Sequence, residues 1–189
     1  MKLTTRDLTM IPLFTALMFV GAKVSIPFSA VPITFQLFFS VFAGLLLGAR
    51  NGLISQLLYI GMGLIGIPVF TYGGGFQYIF NPTFGYLIGF AGCALIVGTL
   101  AERTKVVNFT KLLGFATLGL VFTYAFGNVY FYMIKNIYVG TPMALSAIFK
   151  MMIPYMIKDY VLLIIAAYVS ALLIPRLKKA GIYKVKEMA

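Results

Sequence analysis

Residues 84–100 read Phe-Gly-Tyr-Leu-Ile-Gly-Phe-Ala-Gly-Cys-Ala-Leu-Ile-Val-Gly-Thr-Leu, without a single charge. A helix resting on a water-soluble core keeps a polar stripe; one that is apolar on all faces is solvated by lipid or buried throughout. Five more stretches are apolar along their length, at 8–22, 32–47, 52–70, 112–132 and 153–174, the last of them alone carrying charges, Lys158 and Asp159. Several are shorter than the roughly 20 residues of an ideal span, so their ends are expected to run into the loops. Backbone groups cannot stay unpaired in hydrocarbon, and these stretches are too long and too evenly apolar for the alternating strands of a barrel. The expected fold is all-α: an integral membrane bundle of six transmembrane helices forming one domain over 1–189.

Composition agrees. Of the 189 residues 61% are hydrophobic and 10% charged, with a mean hydropathy of +1.00, against roughly 25% charged residues in soluble domains. The net charge is +11, yet the basic residues sit in short connections and at the termini instead of forming a stripe with interleaved aromatics. That distribution suits the lipid bilayer and not nucleic acid. A cytoplasmic N-terminus places Lys2, Arg6, Arg50, Arg103, Lys105, Lys111, Arg176, Lys178, Lys179, Lys184 and Lys186 inside, and Lys23, Lys135, Lys150 and Lys158 outside. The positive-inside rule then predicts that both termini are cytoplasmic, as an even helix count requires. Lys2 and Arg6 before an apolar run, with Val20-Gly21-Ala22 after it, resemble a signal peptide; Asp7 interrupts the basic region, and a first membrane helix is the preferred reading.

Cys93 is the sole cysteine and there is no histidine. Cys93 reads as a small core residue, and neither a disulfide within the chain nor a histidine base or metal ligand is available. No phosphate loop, metal-ligand cluster or nucleophile motif occurs, so the chain is expected to be a binding subunit and not an enzyme, with no cofactor. Glycines spaced four apart, Gly44 with Gly48 and Gly85 with Gly89, are expected to let helix backbones approach. The connection 48–52 is tight. Residues 66–83 instead carry prolines, three consecutive glycines and aromatics, with no charge. That loop reads either as a cover over a site or as an ordinary interfacial loop.

Asp7, Glu102 and Glu187 fall in flanking segments, where a solvated carboxylate needs no special explanation. Asp159 differs: it follows Pro154 by five residues, roughly 8 Å along a helix, and so lies inside the last span. A carboxylate there costs on the order of 2.5–3.5 kcal/mol on insertion scales, so it is expected to face the bundle interior with a partner or ligand. An ion pair with Lys135 or Lys150 is the competing reading. Lys158 is adjacent, but successive helical side chains diverge by about 100°, so one of the two is expected to face the site while the other reaches the headgroups. Gln36, Gln77 and Asn81 supply amide donors and acceptors. With Asp159, Thr83 and the aromatics Phe35, Tyr72, Phe76, Tyr78 and Tyr86, they are expected to converge on the outer half of the bundle around a small polar ligand with an apolar body.

Five segments carry a family resemblance: Val31-Pro32-Ile33-Thr34-Phe35-Gln36, Ala43-Gly44-Leu45-Leu46-Leu47-Gly48-Ala49-Arg50, Leu57-Leu58-Tyr59, Gly63-Leu64-Ile65-Gly66-Ile67-Pro68-Val69-Phe70, and Asn81-Pro82-Thr83-Phe84-Gly85-Tyr86-Leu87-Ile88-Gly89-Phe90. Together they closely resemble the BioY family, biotin-specific substrate-binding (S) components of energy-coupling factor (ECF) transporters. The resemblance implies a six-helix S-component in a prokaryotic plasma membrane that binds biotin as substrate. Its implied partners are a transmembrane coupling subunit and two cytoplasmic ATPases. The family's last helix typically carries an aspartate with a lysine three residues later; here Leu162 holds that later position and Lys158 precedes Asp159. Asn81 stands where glycine commonly precedes Pro-Thr. Small residues of the first helix dock S-components on the coupling subunit, which implies Pro12 and Ala16 here. Asp159 and Asn81 are then expected at biotin's ureido ring, and Lys158 and Gln77 at its carboxylate. An S-component for another vitamin, such as thiamin or riboflavin, and a solitary carrier are the alternatives.

Overall fold

The computed structural model describes residues 4–28, 31–104 and 107–179. The described chain is all-helical: α1 (Thr5–Lys23), α2 (Gln36–Leu64), α3 (Phe84–Arg103), α4 (Phe109–Met133) and α5 (Leu145–Lys179), with a 3-10 turn at Phe76–Phe80 and a π turn at Ile134–Tyr138. The six expected helices fall on five elements, because two of them are joined without a loop in α2. The second and third apolar stretches belong to one element, α2, interrupted only at Gly48 (φ 81°, ψ −179°). Residues 49–52, expected as a connection, are already helical.

Gly48 turns α2 back on itself. Gln36, twelve positions before it, donates from Nε2 to the hydroxyl of Tyr59, eleven positions after it (3.1 Å). A Cβ on Gly52 would come within 3.3 Å of the Ala43 backbone. The two arms, 36–47 and 49–64, are therefore antiparallel neighbours. Their lengths, about 18 and 24 Å, fall short of a hydrocarbon core of about 30 Å. By length and composition Phe84–Arg103, Phe109–Tyr138 and Leu145–Lys179 can each cross a membrane, and Gln36–Leu64 is as long and as apolar but is folded back at Gly48.

The turn is closed by a side chain that the sequence left unexplained. Glu102, at the end of α3, accepts a hydrogen bond from the Ala49 backbone N–H (3.0 Å), satisfying a donor that the start of the second arm would otherwise orphan. Replacing Glu102 with alanine is expected to cost about 1 kcal/mol, read as a lower melting temperature with unchanged ligand affinity. Asp7 is likewise more than a solvated flank. It forms a capping box with Thr4 (2.9 and 3.2 Å), and its Oδ1 accepts from Asn51 Nδ2 (2.6 Å), tying α1 to α2. The Thr4 backbone N–H is the main reason its carboxyl lies below the usual carboxylate range.

Glycines set the helix spacing. A Cβ on Gly44 would meet the Ala94 carbonyl at 2.7 Å, one on Gly85 would meet Tyr130, and one on Gly89 would meet the Thr123 backbone at 3.1 Å. Gly48 does not share this role, because it forms the turn. Cys93 is fully buried and unpaired.

Asp7 and Glu102 both reach the Gly48 turn, which gathers the start of α1, the end of α3 and that turn at one end of the bundle. At the opposite end lie two connections. Residues 24–35 are pinned by reciprocal 2.9 Å bonds between Ile26 and Ile33, and residues 65–83 by a bond from Gly75 N–H to the Gly63 carbonyl (2.7 Å).

Candidate functional site

The Asp159 carboxylate, 6% exposed, faces the bundle interior. Tyr124 of α4 donates its hydroxyl to Asp159 Oδ2 (2.6 Å), and the Lys158 ammonium pairs with Oδ1. Lys158 also donates to the Thr34 carbonyl (2.7 Å), so the expectation that neighbouring side chains must part company is corrected. The Cα–Cβ bonds diverge, but the four-carbon lysine stem bends back and brings the ammonium onto the carboxylate. The alternative ion pairs do not form: among the described residues Lys158 makes the one salt bridge to Asp159, and Lys135 donates instead to Thr141 (3.2 Å).

A cavity of about 50 Å³ opens over this pair. Its polar floor is Asp159, Lys158 and Tyr124, and its walls include Val31, Pro32, Tyr86, Phe90, Met152 and Tyr155. The Tyr155 hydroxyl lies 2.6 Å from the carbonyls of both Phe28 and Val31. Together with Lys158 it straps the 24–35 connection onto α5. A second cavity of about 50 Å³ shares Val31, Pro32, Thr34, Tyr86 and Phe90 with the first and adds Gln36, Thr71, Tyr72, Tyr78 and Thr83. Tyr86 thus lines both, and it donates to Asn128 Oδ1 (2.6 Å).

The expected site residues separate into groups. Asp159, Lys158 and Tyr86 meet at the first cavity, and Gln36, Thr83 and Tyr86 meet at the second. Asn81 and Gln77 line a different recess, of about 340 Å³, beyond the second cavity. Asn81 Oδ1 is occupied locally, accepting from the Thr83 N–H (2.9 Å) and hydroxyl (2.7 Å), a turn-forming arrangement typical of asparagine. Phe35 lines none of these spaces; it precedes α2, and its N–H bonds to the Gly21 carbonyl (3.0 Å). Pro12 and Ala16 line an apolar groove of about 360 Å³ between α1 and the second arm of α2, with Phe19, Leu58, Met62 and Pro68.

Sequence reasoning passed over Tyr124, Tyr155, Thr34 and Asn128. One signal was available: Asn128 is a lone amide in the middle of an apolar stretch, and it is fully buried with its Nδ2 unpartnered. Tyr124 lies one helical turn before it on α4.

The chain can be set beside known proteins. The family model described as BioY family matches residues 1–179. A probable biotin transporter BioY of Lysinibacillus sphaericus is 42% identical over 177 residues, covering 93% of this chain and 88% of the relative. The biotin transporter BioY of Thermotoga maritima is 36% identical over 175 residues, covering 92% and 96%. Among solved structures, the S-component for biotin from an ECF-type ABC transporter superposes with a TM-score of 0.78 at 24% identity, covering 94% of this chain and 95% of that one. At that identity the likeness establishes the fold. All-helical, with four helices long and apolar enough for a membrane, the molecule is a multi-pass membrane protein. The whole-length family match and the two relatives place this chain in the BioY family.

Proposed function

We propose that this chain captures biotin at the outer face of the cell membrane as the substrate-binding subunit of an ATP-driven ECF importer. Biotin is its cargo, and the chain is a binding subunit, not an enzyme. The observation that carries the reading is the buried Asp159 carboxylate, held by Lys158 and Tyr124 at the floor of a cavity with apolar walls. A cyclic urea presents two N–H donors and one carbonyl. The carboxylate accepts from one N–H, the adjacent ammonium donates to the carbonyl, and the thioether ring and aliphatic stem are accommodated by Val31, Pro32, Tyr86 and Phe90. The stem's carboxylate then extends toward Gln36 and Thr83 in the second cavity. Each inner cavity alone has room for only a few waters, against about 300–1,000 Å³ for ligand pockets. Binding therefore merges the two by moving their shared walls.

Orientation follows from charge. Arg6, Arg50, Arg103, Lys111, Arg176, Lys178 and Lys179 belong to the end with the Gly48 turn, and Lys23, Lys135, Lys150 and Lys158 to the end with the cavities. The positive-inside rule then favours cytoplasmic termini and outward-facing cavities. Lys2, Lys105, Lys184 and Lys186, counted with the inner group from sequence, lie outside the described residues, as does Glu187. On this reading the single membrane domain docks on a transmembrane coupling subunit through the groove containing Pro12 and Ala16, and two cytoplasmic ATPases drive release inward.

Equilibrium binding of labelled biotin to the protein in nanodiscs tests the proposal. Unlabelled biotin is expected to displace the label, while thiamin and riboflavin leave it bound. Folded protein that binds no biotin contradicts the proposal, and displacement by another vitamin reassigns the cargo.

A further inference from the structure

The three outer spaces form a row. The two inner cavities share Tyr86 and Phe90, and the second of them shares Tyr72 and Tyr78 with the outer recess. Only the recess, at about 340 Å³, already falls in the roughly 300–1,000 Å³ range of small-molecule pockets. One wall is an aromatic pair, Phe80 against Tyr138, with ring centroids 4.6 Å apart and planes inclined by 21°. Both rings are well exposed, as is Tyr72. Large exposed aromatic rings beside a cavity mark a contact surface. The polar lining holds two amides beside the tyrosine hydroxyls: Gln77, whose Nε2 donates to the Gly74 carbonyl (3.3 Å) and whose oxygen is left over, and Asn81, whose oxygen is engaged by Thr83 so that its N–H groups are the part left to a ligand. No charged side chain lines the recess among the described residues, so it suits the neutral ureido ring end of the ligand and leaves the stem's carboxylate to the solvent side.

Resting on the biotin reading above, we propose that this recess is an outer holding site. The ligand's fused rings lie against the Phe80–Tyr138 pair and its ureido group meets the Gln77 and Asn81 amides before it passes Tyr72 and Tyr78 to the Asp159 cavity. Asn81 and Gln77 thereby act in capture, one stage ahead of the final ureido and carboxylate contacts.

The test is rapid mixing of biotin with the full chain in nanodiscs, followed by tyrosine fluorescence, the chain having no tryptophan. A holding step ahead of the final site makes the observed rate saturate as biotin concentration rises. In the Phe80→Ala, Tyr138→Ala double variant the half-saturating concentration is expected to rise roughly fivefold to tenfold, the scale of a lost aromatic platform. The equilibrium dissociation constant should change less than twofold, because neither ring touches the inner cavities. Gln77→Ala, a truncation on an exposed turn, should shift the half-saturating concentration in the same direction. Rates that rise linearly with the same slope in wild type and both variants overturn the proposal. So does a double variant that keeps its melting temperature but loses equilibrium affinity, since the recess would then be the binding site itself. Wild-type protein that binds no biotin overturns the reading beneath it instead.

Discussion

Asp159→Ala is expected to weaken biotin binding by roughly 10- to 100-fold or more for each ureido hydrogen bond lost, because a hydrogen bond to a charged group contributes about 1.5–3 kcal/mol. The effect should lie at the upper end. The carboxylate is buried, it receives the Tyr124 hydroxyl on one oxygen and the Lys158 ammonium on the other, and among the described residues no second carboxylate lines either inner cavity. Removing it also strands the Lys158 ammonium in a half-buried position with the Thr34 carbonyl as its remaining partner, and an unpaired charge there disorders the strap on the 24–35 connection. Asp159→Asn separates the two consequences. It keeps the volume and can still accept a hydrogen bond, so the fold should survive, measured as melting temperature, while affinity falls. Equal affinity in wild type and Asp159→Asn would remove the carboxylate from the recognition mechanism.

The second large effect concerns the fold. A Cβ on Gly98 would lie 2.4 Å from the Ala49 nitrogen, 2.5 Å from the Gly48 carbonyl carbon and 2.6 Å from the Ala49 Cα. All three are backbone atoms, so no rotamer change relieves the clash; α3 must move away from the α2 turn. That movement also breaks the Glu102 bond to the Ala49 N–H, one turn further along α3. Gly98→Ala is therefore expected to cost about 3 kcal/mol, near the top of the range for overpacking, and to lower the melting temperature by roughly 6–12 °C. Gly114→Ala is the control. No atom lies within 4 Å of the added carbon there, and exchanging glycine for alanine inside a helix adds about 0.5–1 kcal/mol of stability. Similar melting temperatures for the two variants would mean that α3 is not seated on the turn through Gly98.

Hydrophobic run lengths located the helices, although α5 begins at Leu145 and not at 153 and α2 ends at Leu64 and not at 70, and they misread one connection. Residues 48–52 carry Gly, Arg and Asn between two apolar stretches, and read as a loop. In three dimensions one left-handed glycine suffices to reverse the chain, and helical hydrogen bonding resumes at once because Glu102 supplies the missing acceptor. That acceptor comes from 53 residues away, which local pattern cannot reveal. The same reason explains what was legible in the site. Asp159 stood out because a carboxylate in an apolar span has an energetic cost visible in the sequence itself. Tyr124 and Tyr155 did not, because a tyrosine in a membrane helix resembles any aromatic until its hydroxyl partner is known. Lys158 was misjudged from backbone direction alone, since a flexible stem decides where its ammonium goes. Asn81 and Gln77 line a recess apart from Asp159, because where a loop amide points depends on turn geometry, here fixed for Asn81 by Thr83.

One measurement addresses the central claim most directly: a double-mutant cycle pairing Asp159→Asn with a biotin analogue whose ureido nitrogen is methylated, titrated into protein in nanodiscs. If the buried carboxylate receives that N–H, the losses from protein change and ligand change overlap, with a coupling of about 1 kcal/mol or more. Losses that simply add would show that Asp159 and the ureido ring do not meet.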